Sequence, residues 1–262
     1  MNDKSFESIL LDIVSDFYNT FDLTPVSVTY SVAEDVGKSY ALLRPDLVAN
    51  NPSQIVEAKK YNGLTVPPDS LDGTFAVLLN GPILWQYMKE DNATWIGTVV
   101  HETTHAIDYS EYADLVWVDS YDDILSLDKH SMFRLWTEMN ARAKGYYFVR
   151  KYTFDDITDV RQVNDILKIE LPGQSELFYQ NYHATKNGHE QAYLTAQYLG
   201  RLYTLQQLFP GTFTNNFIRQ HLAPNKWMYD WFTFYCRYPR LSDAYEHFDE
   251  MKAILRQNFH GL

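Results

Sequence analysis

Cysteine is nearly missing from this chain. Cys236 is the only one in 262 residues, which excludes an internal disulfide and a cysteine-based metal cluster and fits a reducing compartment. Nowhere is there a run of about 18 apolar residues that could span a bilayer, so no membrane partner is expected. The opening stretch MNDKSFESILLDIVSDFYNTF scatters acidic residues among apolar ones, unlike a secretory signal, and a cytoplasmic location is the expectation. Basic charge is the last shortage. Against 34 acidic residues stand 22 basic ones, a formal charge of −12 with no basic run, so nucleic acid is not an expected partner.

Hydrophobic residues make up 45% and aromatics 16%, while Gly (11) and Pro (10) are few, the balance of an ordered globular chain. At this length a large core can form, and one compact unit with two lobes is expected. Phe6, Ile9, Leu10, Ile13, Val14 and Phe17 recur at helical spacing and predict an amphipathic helix over 4–20. The alternating, β-branched PVSVTYSV (25–32) predicts a strand. TFAVLLN (74–80), bounded by Asp72-Gly73 and Gly81-Pro82, predicts a second. Between them YNGLTVPPDSLDG (61–73) reads as loop.

From residue 82 onward the patterns are almost all helical. One helix opens at Asn92 as N-cap and runs through ATWIGTVVHETTHAIDY, and others are predicted over 129–151, 187–208, 225–236 and 241–257. Breaks are expected near Pro172-Gly173, Pro210-Gly211, Pro224 and Pro239. No internal repeat or low-complexity segment interrupts this order. The fold class is therefore α+β and mostly helical, with a sheet and the Asn92 helix in 1–110 and a helical lobe in 111–262.

The stretch TVVHETTHAIDYSEY (98–112) places His101, Glu102 and His105 in the order His-Glu-x-x-His. On a helix, residues four apart lie on one face, so both imidazoles can address one point, while Glu102 sits about 100° round from His101. From there it reaches a water without being a ligand. Thr98, Val99, Val100, Thr103, Thr104, Ala106 and Ile107 around the motif are uncharged, as on a buried helix. Burying two His and a Glu without a metal would demand several hydrogen bonds.

A catalytic zinc site needs a third protein ligand, and three acidic residues compete for the place. Glu111 occupies the third-ligand position of the longer pattern His-Glu-x-x-His-x-x-Gly-x-x-His, but Asp108 replaces the glycine that would let the chain turn back. Asp108 shares the histidines' face at a poor angle for ligation; a supporting bond to a ligand, or a place at the helix end, suits it better. Glu138, in FRLWTEMNARAKGYYFV, is favoured: it lies 33 residues after His105, on a second helix with small residues Ala141 and Gly145 nearby. The competing reading pairs Glu138 with Arg142 one turn on.

On these residues the chain resembles the gluzincin group of zinc metallopeptidases, and more closely its small bacterial and phage members of the minigluzincin type. The likeness covers roughly residues 25–150: a strand like FAVLLN precedes the helix TWIGTVVHETTHAI, and a Glu is followed three residues later by Ala, here Glu138 and Ala141. It implies a zincin-like fold, zinc (Zn2+) on His101, His105 and Glu138, Glu102 as general base, and a peptide or protein substrate. Arg142 departs from the pattern, standing where thermolysin-like members carry an Asp that orients a histidine; Asp108 is the candidate substitute. No helix-turn-helix domain of the kind that accompanies repressor-cleaving relatives is seen.

The expected chemistry is amide hydrolysis, with Glu102 taking a proton from water and passing it to the leaving amine. The strand at 74–80 is expected to pair with an extended peptide by edge addition. An oxyanion stabiliser is sought in FYQNYHATKNGHEQAY, where Tyr179, Tyr182, His183, His189 and Tyr193 all qualify. A deformylase reading fails because it needs an upstream Cys, and Cys236 lies 131 residues after His105. The alternative function is a non-enzymatic helical interaction protein with a structural or vestigial zinc site, whose mark would be a fourth protein ligand.

Overall fold

The computed structural model describes residues 5–125 and 127–259, and at 50 and 127–129 the backbone alone. The Ser5 hydroxyl accepts the Ser8 N–H and caps α1 (Phe6–Phe21), close to the predicted helix; Lys4 lies outside the described residues. Next come β1 (Val28–Ala33), three short helices α2 (Val36–Leu43), α3 (Pro45–Asn50) and α4 (Ser53–Ala58), β2 (Gly63–Val66) and β3 (Phe75–Asn80). Helices α5 (Gly81–Lys89), α6 (Thr94–Val116), α7 (Tyr121–Leu125) and α8 (Leu127–Thr153) follow.

The chain divides into two compact units, Met1–Asp123 with Tyr147–Thr153, and Ile124–Tyr146 with Phe154–Leu262. In the first, the strand order is β1-β3-β2, with β1 parallel and β2 antiparallel to β3. Parallel neighbours require a crossover, and the chain from α2 to β2 provides it. Two expectations change here. The stretch expected as loop contains β2, and the strand expected to accept a peptide, β3, is central and hydrogen-bonded on both sides, so no edge of it is free. The run Leu64-Thr65-Val66 is too short to announce a strand alone; pairing with β3 makes it one.

Successive β3 side chains point to opposite faces. Val77 and Leu79 join Leu10, Ile13 and Phe17 of α1, Val99, Val100 and Ile107 of α6, and Phe148 from the end of α8. Leu78 faces Ala33, Val36 and Ala58 on the other side. Phe148 is fully buried against the rings of Phe17 and Phe21, and the Lys151 ammonium donates to Asp16 at 2.7 Å.

In the second unit a 3-10 turn (Val160–Gln162) leads into α9 (Val163–Asp165), a π turn (Ile166–Glu170) and α10 (Leu171–Ala184), without the predicted break at Pro172-Gly173. Proline has no N–H for the i−4 carbonyl. The π turn just ahead of it shifts the hydrogen-bond ladder, so the chain stays helical with Pro172 in the first turn of α10. Helices α11 (Gly188–Leu208), α12 (Asn215–His221) and α13 (Lys226–Arg237) follow. The predicted 241–257 helix is two, α14 (Leu241–Tyr245) and α15 (Phe248–Leu255). Pro210, Pro224 and Pro239 fall between helices as expected.

Helices α8 and α11 approach closely at Gly200, where an added Cβ would lie 2.6 Å from the Met139 carbonyl oxygen. Only glycine fits there. The Thr204 hydroxyl donates to the Ala143 carbonyl at 2.8 Å beside this contact, and the Tyr235 hydroxyl donates to Asn140 at 2.9 Å. Among the described residues no helix is long and apolar enough to cross a membrane.

Candidate metal centre

Helix α6 is buried along most of its 23 residues, which explains its uncharged flanks. Asn92 accepts the Thr94 N–H at 2.9 Å and the Thr94 hydroxyl at 2.6 Å, so the predicted cap acts from one position further out, with Ala93 between. The Thr103 and Thr104 hydroxyls donate to the carbonyls of Val99 (2.7 Å) and Val100 (2.8 Å). Each closes on its own helix, and neither needs a partner from elsewhere. Thr103 also meets the Tyr30 hydroxyl at 2.8 Å, and burial pushes that phenol well above its ordinary range.

The four-residue spacing brings the Nε2 atoms of His101 and His105 to 3.0 Å from each other, with the rings perpendicular. His101, His105 and Glu138 each offer one ligand atom, and all three atoms lie within 4.8 Å of one another. Two imidazole nitrogens bound to one tetrahedral zinc would lie about 3.3 Å apart, close to the separation found. Two imidazoles and a carboxylate are also the donor set of catalytic zinc sites that leave one position for water. The residues therefore fit the metal.

Glu138 is 3% exposed on α8, and the alternative ion pair with Arg142 does not form: Arg142 makes no ion pair among the described residues. Asp108 is buried at 3% exposure, but α6 continues to Val116, so the helix-end role is excluded. Glu111 is exposed on the same helix. Neither belongs to the three-residue group.

Glu102 is 7% exposed and lies against β2. The Thr65 hydroxyl donates to its carboxylate at 2.8 Å and to its main-chain oxygen at 2.7 Å. A Cβ on Gly63 would come within 2.8 Å of both Glu102 Cγ and Thr98 Cγ2, so the absent side chain lets the strand reach the helix. Gly63 and Thr65 lie in the stretch read as loop. The β-prone run Leu64-Thr65-Val66 is too short to have signalled them without its pairing to β3.

The five oxyanion candidates all lie on α10 and α11 in the second unit. Tyr179 accepts from Asn225 at 3.4 Å and Tyr182 from Asn258 at 2.8 Å, while His183, His189 and Tyr193 are exposed. Neither burial nor bonding singles out one of them. Comparison with family models, curated proteins and solved structures finds no match to this chain, so the functional reading rests on the site itself.

Proposed function

We propose that this chain is a zinc-dependent metallopeptidase of the gluzincin kind, hydrolysing peptide bonds of a peptide or protein substrate. The observation that carries the reading is the convergence of His101, His105 and Glu138 ligand atoms within 4.8 Å, beside a buried Glu102 that is no part of that group. His101, His105 and Glu138 would hold the zinc, which when bound would supply Lewis acidity toward a substrate carbonyl and toward water. The chain's own work is proton handling and orientation. Glu102 receives the water proton on its carboxylate and returns it to the leaving amine nitrogen. Thr65, donating to that carboxylate, fixes its direction.

Substrate pairing passes from β3, which has no free edge, to an edge strand. Of the two edge strands, β2 lies against Glu102 and is the one placed to align an extended peptide with it.

The test combines metal analysis with peptide hydrolysis. The parent and Glu102→Gln are expected to hold one zinc per chain, with the variant slower by about 10²–10⁴-fold; Glu138→Ala is expected to lose the metal. A parent without zinc, or a Glu102→Gln variant as fast as the parent, would end this reading. Thr65→Val should keep zinc and slow hydrolysis by about 10-fold, and an unchanged rate would remove Thr65 from the machinery.

A further inference from the structure

Arg142 on α8 lies at the close helix contact described above, and Arg201 follows Gly200 on α11. A Cβ on Gly200 would lie 3.0 Å from Arg142 Cβ, and the charge of Arg142 acts on Arg201, the next residue of α11. Burial pushes the Arg201 guanidinium down to about 10, and Arg142 adds to the shift. Among the described residues neither guanidinium makes a hydrogen bond or an ion pair, and Arg142 Nε is buried without one. The carboxylate that acts on Arg201 is Glu170, which is not within 4.0 Å of it. Glu170 Oε1 already accepts from the Tyr146 hydroxyl and from Gln174 Nε2 (3.0 Å), and burial favours its neutral form.

Two half-buried cations with so weak a counter-charge are costly to hold at a helix crossing. Two planar guanidinium forks are also the arrangement that receives an anion bidentately. We propose that Arg142 and Arg201 form a carboxylate-binding site, and that its occupant is the C-terminal carboxylate of the peptide substrate, an assignment that rests on the metallopeptidase reading above. Arg142 follows Glu138 by one turn on the same face of α8. Cβ atoms at that spacing are about 6 Å apart, the reach of about two extended residues, so a peptide held by its terminus presents a bond near that end to Glu138. A phosphate shares the anionic chemistry, and the test separates the two sources.

Calorimetry on the full chain, with and without zinc, would use three probes: acetyl-Ala-Ala as free acid, the same peptide as C-terminal amide, and inorganic phosphate. The free acid is expected to bind at least about 10-fold more tightly than the amide, and Arg142→Met and Arg201→Met should each erase that preference while leaving amide binding unchanged. Arg201→Lys keeps the charge without the fork and should lose an intermediate part; circular dichroism checks that each variant is folded. Equal binding of acid and amide, or arginine variants like the parent, would overturn the site. Phosphate binding more tightly than the acid and displacing it would overturn the peptide assignment. Equal cleavage of acid and amide peptides would leave the metallopeptidase standing and sink this inference. Acid binding that depends on the arginines, in a chain that takes up no zinc, would keep the carboxylate site and sink the hydrolase.

Discussion

Arg44 is buried and Arg201 half-buried, and the two guanidinium groups are held in opposite ways. Arg44, 4% exposed between α2 and α3, donates Nε and Nη2 to Asp46 (3.1 and 2.8 Å), Nη2 to Asp122 (2.5 Å) and Nη1 to the Pro67 carbonyl (3.1 Å). One cation ties the α2–α3 corner to the chain after β2 and to α7. Bonding to Asp46 and Asp122 keeps it protonated beyond the usual arginine range. Arg201 has none of this, and burial drives its pKa the other way. A charge enclosed by partners from its own chain holds the fold together; a charge left beside another of its own sign adds no such tie.

Stability measurements can break this contrast. The largest effect is expected from Arg44→Met, a loss of about 2 kcal/mol once the exposure of both acidic partners is discounted, seen as a melting temperature lower by about 4–8 °C. Arg201→Met should shift it upward, by about 1 kcal/mol or 2–4 °C, because a half-buried cation without an ion-pair partner among the described residues is replaced by an apolar chain of similar length. Two variants equally destabilised would mean that both arginines are structural. The smallest effect concerns acid. The bond from Arg44 holds the Asp46 carboxyl below its ordinary 3.8 against the opposing effect of desolvation. A depressed carboxyl contributes stability above its unfolded pKa and loses it as pH falls through the folded value. Melting curves of the parent between pH 5 and 2 should therefore fall more steeply than those of Arg44→Met, and parallel curves would deny the coupling.

Periodicity made α6 readable in the sequence because its chemistry is local: two histidines one turn apart, a cap at Asn92, and threonines that bond within the helix. Glu138 could be favoured over Asp108 and Glu111 by the same helical geometry, since it removes the neighbours. What stayed hidden depends on distant pairing. Leu64-Thr65-Val66 becomes a strand only on β3, so the partner of Glu102 was invisible in a stretch rich in turn residues. Arg142 and Arg201 are 59 positions apart in the sequence, and the charge of one acts on the other because Gly200 admits α8. Pro172 signalled a break that a single π turn absorbs, a choice made by hydrogen-bond bookkeeping over five residues rather than by composition.

The way α8 is shared has a consequence for biosynthesis. Its last turns, Tyr147–Thr153, belong to the first unit, where Phe148 fills the space between Phe17 and Phe21 and Lys151 reaches Asp16. A nascent chain that has emerged only to Asp123 carries every strand of the sheet yet lacks the ring that completes its core. The core of the first unit is therefore completed by residues that emerge only after most of α8 has been made.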